Sequence, residues 1–316
     1  MTAGRLDKQE FFAKVDGFDA EALRKMVWTL YYRGSAAQRE RIEDMIAPPA
    51  ETRVKPKKPG VDLGGIREFV ALAREGAYFG GDRRVSPKQR TRWRFTFSAH
   101  ASSAVGGLGG PNHADAAIAT ELMIDLACAT KDYEYFRSEE PLEAARFVVS
   151  DAVEALWSTT LALGGFGALC ATAPDQLGRW ESRYGWTRRG FGKVSERERS
   201  LAGIAAALLN GIGEWGPFAD EYLYELESGG RHGLQRREDL DEWHVLLMDR
   251  LWGTDYQDRL DRIADSRVLD PTERKFLRAR LAHRNGDDDQ ARTLIGECLA
   301  KLPGHHEFRD FADMIS

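Results

Sequence analysis

Along most of the chain apolar residues recur at steps of three and four, the period of an α-helix that buries one face against its neighbours. After Asp19, a suitable N-cap, the positions Leu23, Met26, Val27, Leu30 and Tyr31 keep that period until Gly34. Ser35 then opens SAAQRERIEDMI, and the two segments predict a helical hairpin. The period resumes at Ile66, Phe69, Val70 and Ala73. It returns after Ser86-Pro87 with Trp93, Phe97, Ala101 and Ala104, proline at the first helical position losing no needed hydrogen bond. Trp93, Phe95 and Phe97 also alternate with Arg and Thr as a strand would, but the small residues from Ala99 to Ala104 favour the helix.

Beyond the glycine-rich turn GGLGGPN, the segments HADAAIATELMIDLACATKDYEYF and PLEAARFVVSDAVEALW read as successive helices. The pattern shortens past Gly165 into PDQLGRWESRYGW and RRGFGKV. SERERSLAGIAAALL then restores it, with Ser195 and Glu198 spaced as a capping box. Further helices are expected at 216–227, 237–252, 255–265, 271–284 and 287–302. Alternating β-branched runs bracketed by turns are almost lacking, so the expected fold is all-α, an irregular helical array or bundle.

Two stretches interrupt this reading. Residues 47–60, APPAETRVKPKKPG, hold four prolines and three lysines and predict an exposed linker or long loop. The expected organisation is a helical hairpin over 1–46, that linker, a central helical domain over 61–210 and a C-terminal region over 211–316. Residues 155–174 are twenty uncharged positions, near the length that crosses hydrocarbon. Their Thr, Ser and Pro residues and the Gly-Gly-Phe-Gly centre favour a buried helix and turn, so no membrane contact is expected.

The C-terminal stretch ERKFLRARLAHRNGDDDQARTLIGECLAKLPGHHEF resembles a tetratricopeptide-type helical pair. The likeness rests on the Asn285-Gly286 turn, Ala291 and the closing Leu302-Pro303. It implies a solenoid-like C-terminal region of a kind whose stacked hairpins bind other proteins. The likeness covers about 36 of the 316 residues, and earlier segments show no clear repeat of that length.

Composition narrows the function classes. A net charge of −5 argues against a dominant nucleic-acid role. The charge is polarised along the chain: 20 basic against 13 acidic residues over 1–100, 10 against 14 over 101–200, and 15 against 23 over 201–316. Cys128, Cys170 and Cys298 are far apart with no CxxC pair, and the opening MTAGRLDKQE lacks an apolar run. A cytoplasmic protein with buried thiols is expected.

Four groups of residues carry candidate chemistry. Glu121 and Asp125 are one helical turn apart, as are Asp151 and Glu154; facing one another, these carboxylates would form an acidic site able to hold divalent metal. The Glu-x-x-His pattern of di-iron bundles is missing, and pairing with Arg137 and Arg146 is the plainer alternative. Trp180, Tyr184, Trp186, Arg188 and Arg189 are the aromatic and arginine types that anchor protein interfaces. Arg83, Arg84, Lys88, Arg90, Arg92 and Arg94, with the linker lysines, form a candidate anion-binding surface. His100 and His113 flank the GGLGG turn without a phosphate-loop motif, and Cys298 with His283, His305 and His306 would ligate zinc only if all four converged. No metal or cofactor is expected. The favoured function is a non-enzymatic protein-binding or scaffold role. An acidic, metal-dependent enzyme and a nucleic-acid accessory protein are the alternatives.

Overall fold

The computed structural model describes residues 7–35, 38–39, 42–43, 60–80, 82–184, 192–228, 241–251, 257–266 and 269–316, the side chains of 182–184 and 241 excepted. Every regular element among them is helical, with no strand. The alternative strand at Trp93–Phe97 is therefore excluded. The chain divides into two units, Met1–Pro59 and Gly60–Ser316.

In the first unit, α1 (Lys8–Val15) opens with a capping box between Asp7 and Glu10, an element the apolar pattern did not single out. Helix α2 (Ala20–Arg33) opens as expected at Asp19, whose carboxylate accepts from the Ala22 amide at 2.7 Å. The chain then turns at Ser35, where the Gln38 amide donates to the Ser35 carbonyl, and the Tyr31 hydroxyl donates to Glu43 at 2.6 Å. Neither α1 nor α2 contains a buried residue.

The second unit begins with α3 (Leu63–Arg74), capped by Asp62, and α4 (Pro87–Gly107), capped by Ser86 with Gln89. Their buried positions are the eight read from the helical period, Ile66, Phe69, Val70 and Ala73, then Trp93, Phe97, Ala101 and Ala104. Phe136 locks the two helices together by stacking on Trp93 at 4.1 Å and on Phe69 at 6.1 Å. Both α3 and α4 pack on α5 (His113–Ala129).

The expected helix over 141–157 is broken. Arg146 adopts a left-handed backbone, φ 54°, which ends the short α6 (Pro141–Ala145) before α7 (Val149–Tyr184) starts. Helix α7 itself folds back at Gly165, φ 73°, a conformation that glycine adopts without steric cost. Trp157 Nε1 donates to Gln176 Oε1 at 2.8 Å, although a straight helix would hold those residues about 28 Å apart. The fold at Gly165 thus splits the long uncharged run into stretches of about ten residues each, 155–164 and 166–174, against the roughly 20 that a bilayer core of about 30 Å needs. The second arm is longer than the pattern suggested and carries Pro174 inside it. Leu169, Ala173, Leu177 and Trp180, all buried at helical spacing, were the signal for it.

The Ser195–Glu198 capping box is also corrected. Ser195–Arg197 forms only a 3-10 turn, and α8 (Leu201–Ile212) starts at Ser200, which accepts from the Gly203 amide. There follow α9 (Gly216–Ser228), α10 (Asp241–Arg250), α11 (Gln257–Ala264), α12 (Pro271–Arg284) and α13 (Asp288–Lys301), within a few residues of the expected ranges, and α14 (His306–Met314), which the pattern did not single out. One continuous core runs from Ile66 to Leu281 and passes position 210 without a break. A second, smaller core of Phe276, Ala291, Ile295, Cys298, Phe308 and Phe311 joins α12, α13 and α14.

Candidate functional site

The four candidate carboxylates enter two separate ion networks. Glu121 and Asp125 on α5 face the second arm of α7, where Arg179 reaches Glu121 at 2.5 Å and Asp125 at 3.5 Å. Trp180 Nε1 donates to Asp125 at 2.7 Å. Burial pushes the Asp125 carboxyl above its usual range, opposed by Arg179 and the Trp180 hydrogen bond. Arg179 also lies 3.9 Å from Asp175, so a guanidinium already occupies the centre of this acidic set. Asp151 and Glu154 instead meet Arg197 and Arg199 at 2.6–3.0 Å. The Arg199 hydrogen bond holds the Glu154 carboxyl below its ordinary range. Arg137, one of the expected partners, donates to the Phe79 carbonyl. Among the described residues, no three His, Cys, Asp or Glu side chains gather to hold a metal.

The aromatic and arginine set is only partly described. Trp180 is fully buried and tied to Asp125, which removes it from any recognition surface. Tyr184 ends α7, while Trp186, Arg188 and Arg189 lie outside the described residues.

The basic set divides by duty. Arg84 pairs with Glu75 and Asp82 at 2.5 and 2.6 Å, and its hydrogen bonds hold the Asp82 carboxyl down at about 2. Arg90 donates to the carbonyls of Asp82 and Val85, closing the loop before α4. Arg83 and Lys88 are exposed, and Arg92 and Arg94 lie over the exposed ring of Phe95. The histidines do not join them. His100 rests against Phe69 and its pKa is lowered by burial, while His113 is exposed at the start of α5. Cys298 is a buried thiol beside the Thr272 carbonyl. His283 pairs with Asp288, His306 with Asp310, and His305 stacks on Phe308, so the four do not form a zinc site.

Arg94 does belong to a larger feature. Two adjoining cavities, of about 400 and 620 Å³, share Arg146 and Arg197 and together make a groove among α4, α6, the start of α7 and the strap 192–199. One end is mainly apolar, with Ala101, Val105, Ala145, Phe147 and Ala152. At the other stand Arg94, Arg146, Lys193 and Arg197 with a single carboxylate, Glu143. Both Glu143 oxygens are spent on the strap, accepting from the amides of Lys193 and Val194 at 3.0 and 2.8 Å. Gly192, φ 117°, lies so close to that carboxylate that a Cβ would meet it at 2.7 Å. Glu198 secures the strap further, accepting from the amides of Val149 and Ser150 and from the Ser150 hydroxyl at 2.6–2.9 Å. It caps α7, the task that sequence spacing had assigned to it within its own segment. With Arg197 held by Asp151, the exposed Arg94, Arg146 and Lys193 form no ion pair with any described residue.

A second arrangement escaped the sequence reading. Tyr222 on α9 shares a 2.7 Å hydrogen bond with His244 Nε2 on α10, and His244 Nδ1 lies 2.8 Å from Glu273 on α12. Tyr222 and His244 are fully buried, and the chain of hydrogen bonds ties α9, α10 and α12 together. No motif links its three members in sequence.

No protein-family model matches the chain, and neither does any curated protein or solved structure.

Proposed function

We propose that this chain is a non-catalytic binding or scaffold protein that engages an acidic, partly apolar segment of another protein in the groove beside α4 and α6. The observation that carries the reading is the group Arg94, Arg146 and Lys193, three cations without a carboxylate partner among the described residues, standing next to an apolar floor. Uncompensated charge steers and orients an anionic partner, and the apolar floor adds non-directional burial. The left-handed backbone of Arg146 supports the same reading, since strain of this kind clusters at ligand sites. A nucleic acid fits less well, because the ring in the groove lining, Phe147, is buried, and the exposed Phe95 does not line the groove. In this reading the α12–α13 pair is a single tetratricopeptide-like hairpin that extends the scaffold, and the protein works in the cytoplasm.

Fluorescence anisotropy with a labelled peptide of glutamates followed by leucines tests the groove. Binding should weaken from low to physiological salt, and R94E/R146E/K193E should lose about tenfold or more in affinity with an unchanged circular-dichroism melt. Absence of peptide binding, indifference to the triple reversal, or stronger binding of oligothymidylate would each reject this function.

A further inference from the structure

The two adjoining cavities of the groove are lined by four cations, Arg94, Arg146, Lys193 and Arg197, against two carboxylates, Glu143 and Asp151, which leaves the lining net +2. No histidine joins them among the described lining residues. Neither carboxylate is free to quench the remaining charge. Glu143 accepts from the amides of Lys193 and Val194, and Asp151 holds Arg197 and Arg199. The three unpaired cations also stand on anchored backbone. Arg94 follows the buried Trp93, Arg146 lies between the buried Ala145 and Phe147, and Lys193 precedes the buried Val194. The cations themselves are exposed, so little backbone ordering is needed when an anion arrives.

This concentration of charge fits a doubly charged group better than a carboxylate. One glutamate brings a single charge and two oxygens and leaves the lining net positive. A phosphate on serine or threonine carries close to two charges at neutral pH and three acceptor oxygens, enough to neutralise the lining and meet three cations at once. Arg94 and Arg146 supply planar donor forks that match phosphate oxygens in bidentate fashion. The apolar end of the groove, with Ala101, Val105 and Ala152, favours a phosphorylated segment over free phosphate, which would fill the charged end alone.

Resting on the binding role proposed above, we infer that the segment taken by the groove is phosphorylated on serine or threonine, with the phosphate among Arg94, Arg146 and Lys193 and apolar residues on the floor beside it. Anisotropy on the full chain compares the glutamate–leucine peptide, the same peptide with one glutamate replaced by phosphoserine, and a third that matches the added charge with an extra glutamate. At about pH 7.5 the phosphopeptide should bind about tenfold more tightly than the first and at least about threefold more tightly than the third. Its preference over the first should fall below about threefold near pH 5, because the second phosphate pKa is about 6 and only one charge then remains, while glutamate stays mostly ionised. Arg146→Lys keeps the charge and loses the fork, so it should reduce the phosphate preference severalfold and move the affinity for the glutamate–leucine peptide by less than about twofold. A phosphopeptide no tighter than its charge-matched counterpart, a preference unchanged near pH 5 or unmoved by Arg146→Lys, or its displacement by an equal concentration of inorganic phosphate would overturn the inference. Binding of the glutamate–leucine peptide in those cases would leave the binding role standing, whereas absence of all peptide binding would remove both.

Discussion

The groove and the C-terminal helices treat charge in opposite ways. From α9 onward several cations are matched to carboxylates: Arg259 with Asp220, Arg262 with Glu227, Arg278 with Asp261 and Asp265, Arg280 with Asp249, and Lys275 with Glu297. These pairs are partly to half exposed, so each contributes little to stability and leaves a neutralised surface. Around the groove carboxylates also serve the backbone. Glu143 and Glu198 accept from backbone amides, and Asp151 is shared by Arg197 and Arg199. Of the cations lining the groove, Arg94, Arg146 and Lys193 have no carboxylate at ion-pair distance among the described residues. One region pairs much of its charge side chain to side chain; the other spends Glu143 on backbone amides and leaves Arg94, Arg146 and Lys193 facing the groove.

The largest expected effect comes from breaking the architecture of the groove. Glu198→Ala strips acceptors from two amides and a hydroxyl at the start of α7 and should cost about 2–3 kcal/mol, lowering the melting temperature by several degrees and abolishing peptide binding together with it. Arg146→Gly sharpens the contrast because its two effects have opposite signs. Glycine relieves the left-handed backbone and should stabilise the fold by up to about 1 kcal/mol in urea titrations, while peptide affinity falls. The smallest effect belongs to the matched region. Arg262→Ala, removing one half-exposed partner of Glu227, should change unfolding free energy by less than about 1 kcal/mol and leave peptide binding unaltered.

The candidate site was less legible than the helices. Arg94 was singled out within a run of arginines, but Arg146 was read only as a partner for carboxylates it does not meet, and Lys193 was not singled out. These three stand about fifty positions apart along the chain, so no local spacing joins them. Glu121 with Asp125, and Asp151 with Glu154, were correctly placed as neighbours along one helix. Whether the two pairs face each other depends on helix packing, which sets Arg179 against one and Arg199 against the other. Trp180 shows the same limit. Composition alone makes a tryptophan among arginines an interface anchor, yet the helical register that passes through Pro174 turns it inward to Asp125.

The sequence by itself determined the all-helical class, the helical caps at Asp19 and Ser86, and the buried faces of α3 and α4, because these follow from contacts within one or two turns. Only the tertiary structure decided that Trp157 meets Gln176 across the turn at Gly165, that Glu198 caps a helix begun about fifty residues earlier, and that three distant cations gather around one groove. Hydrogen bonds and charges of that range join segments distant in sequence, and their partners become neighbours only once the apolar faces have packed.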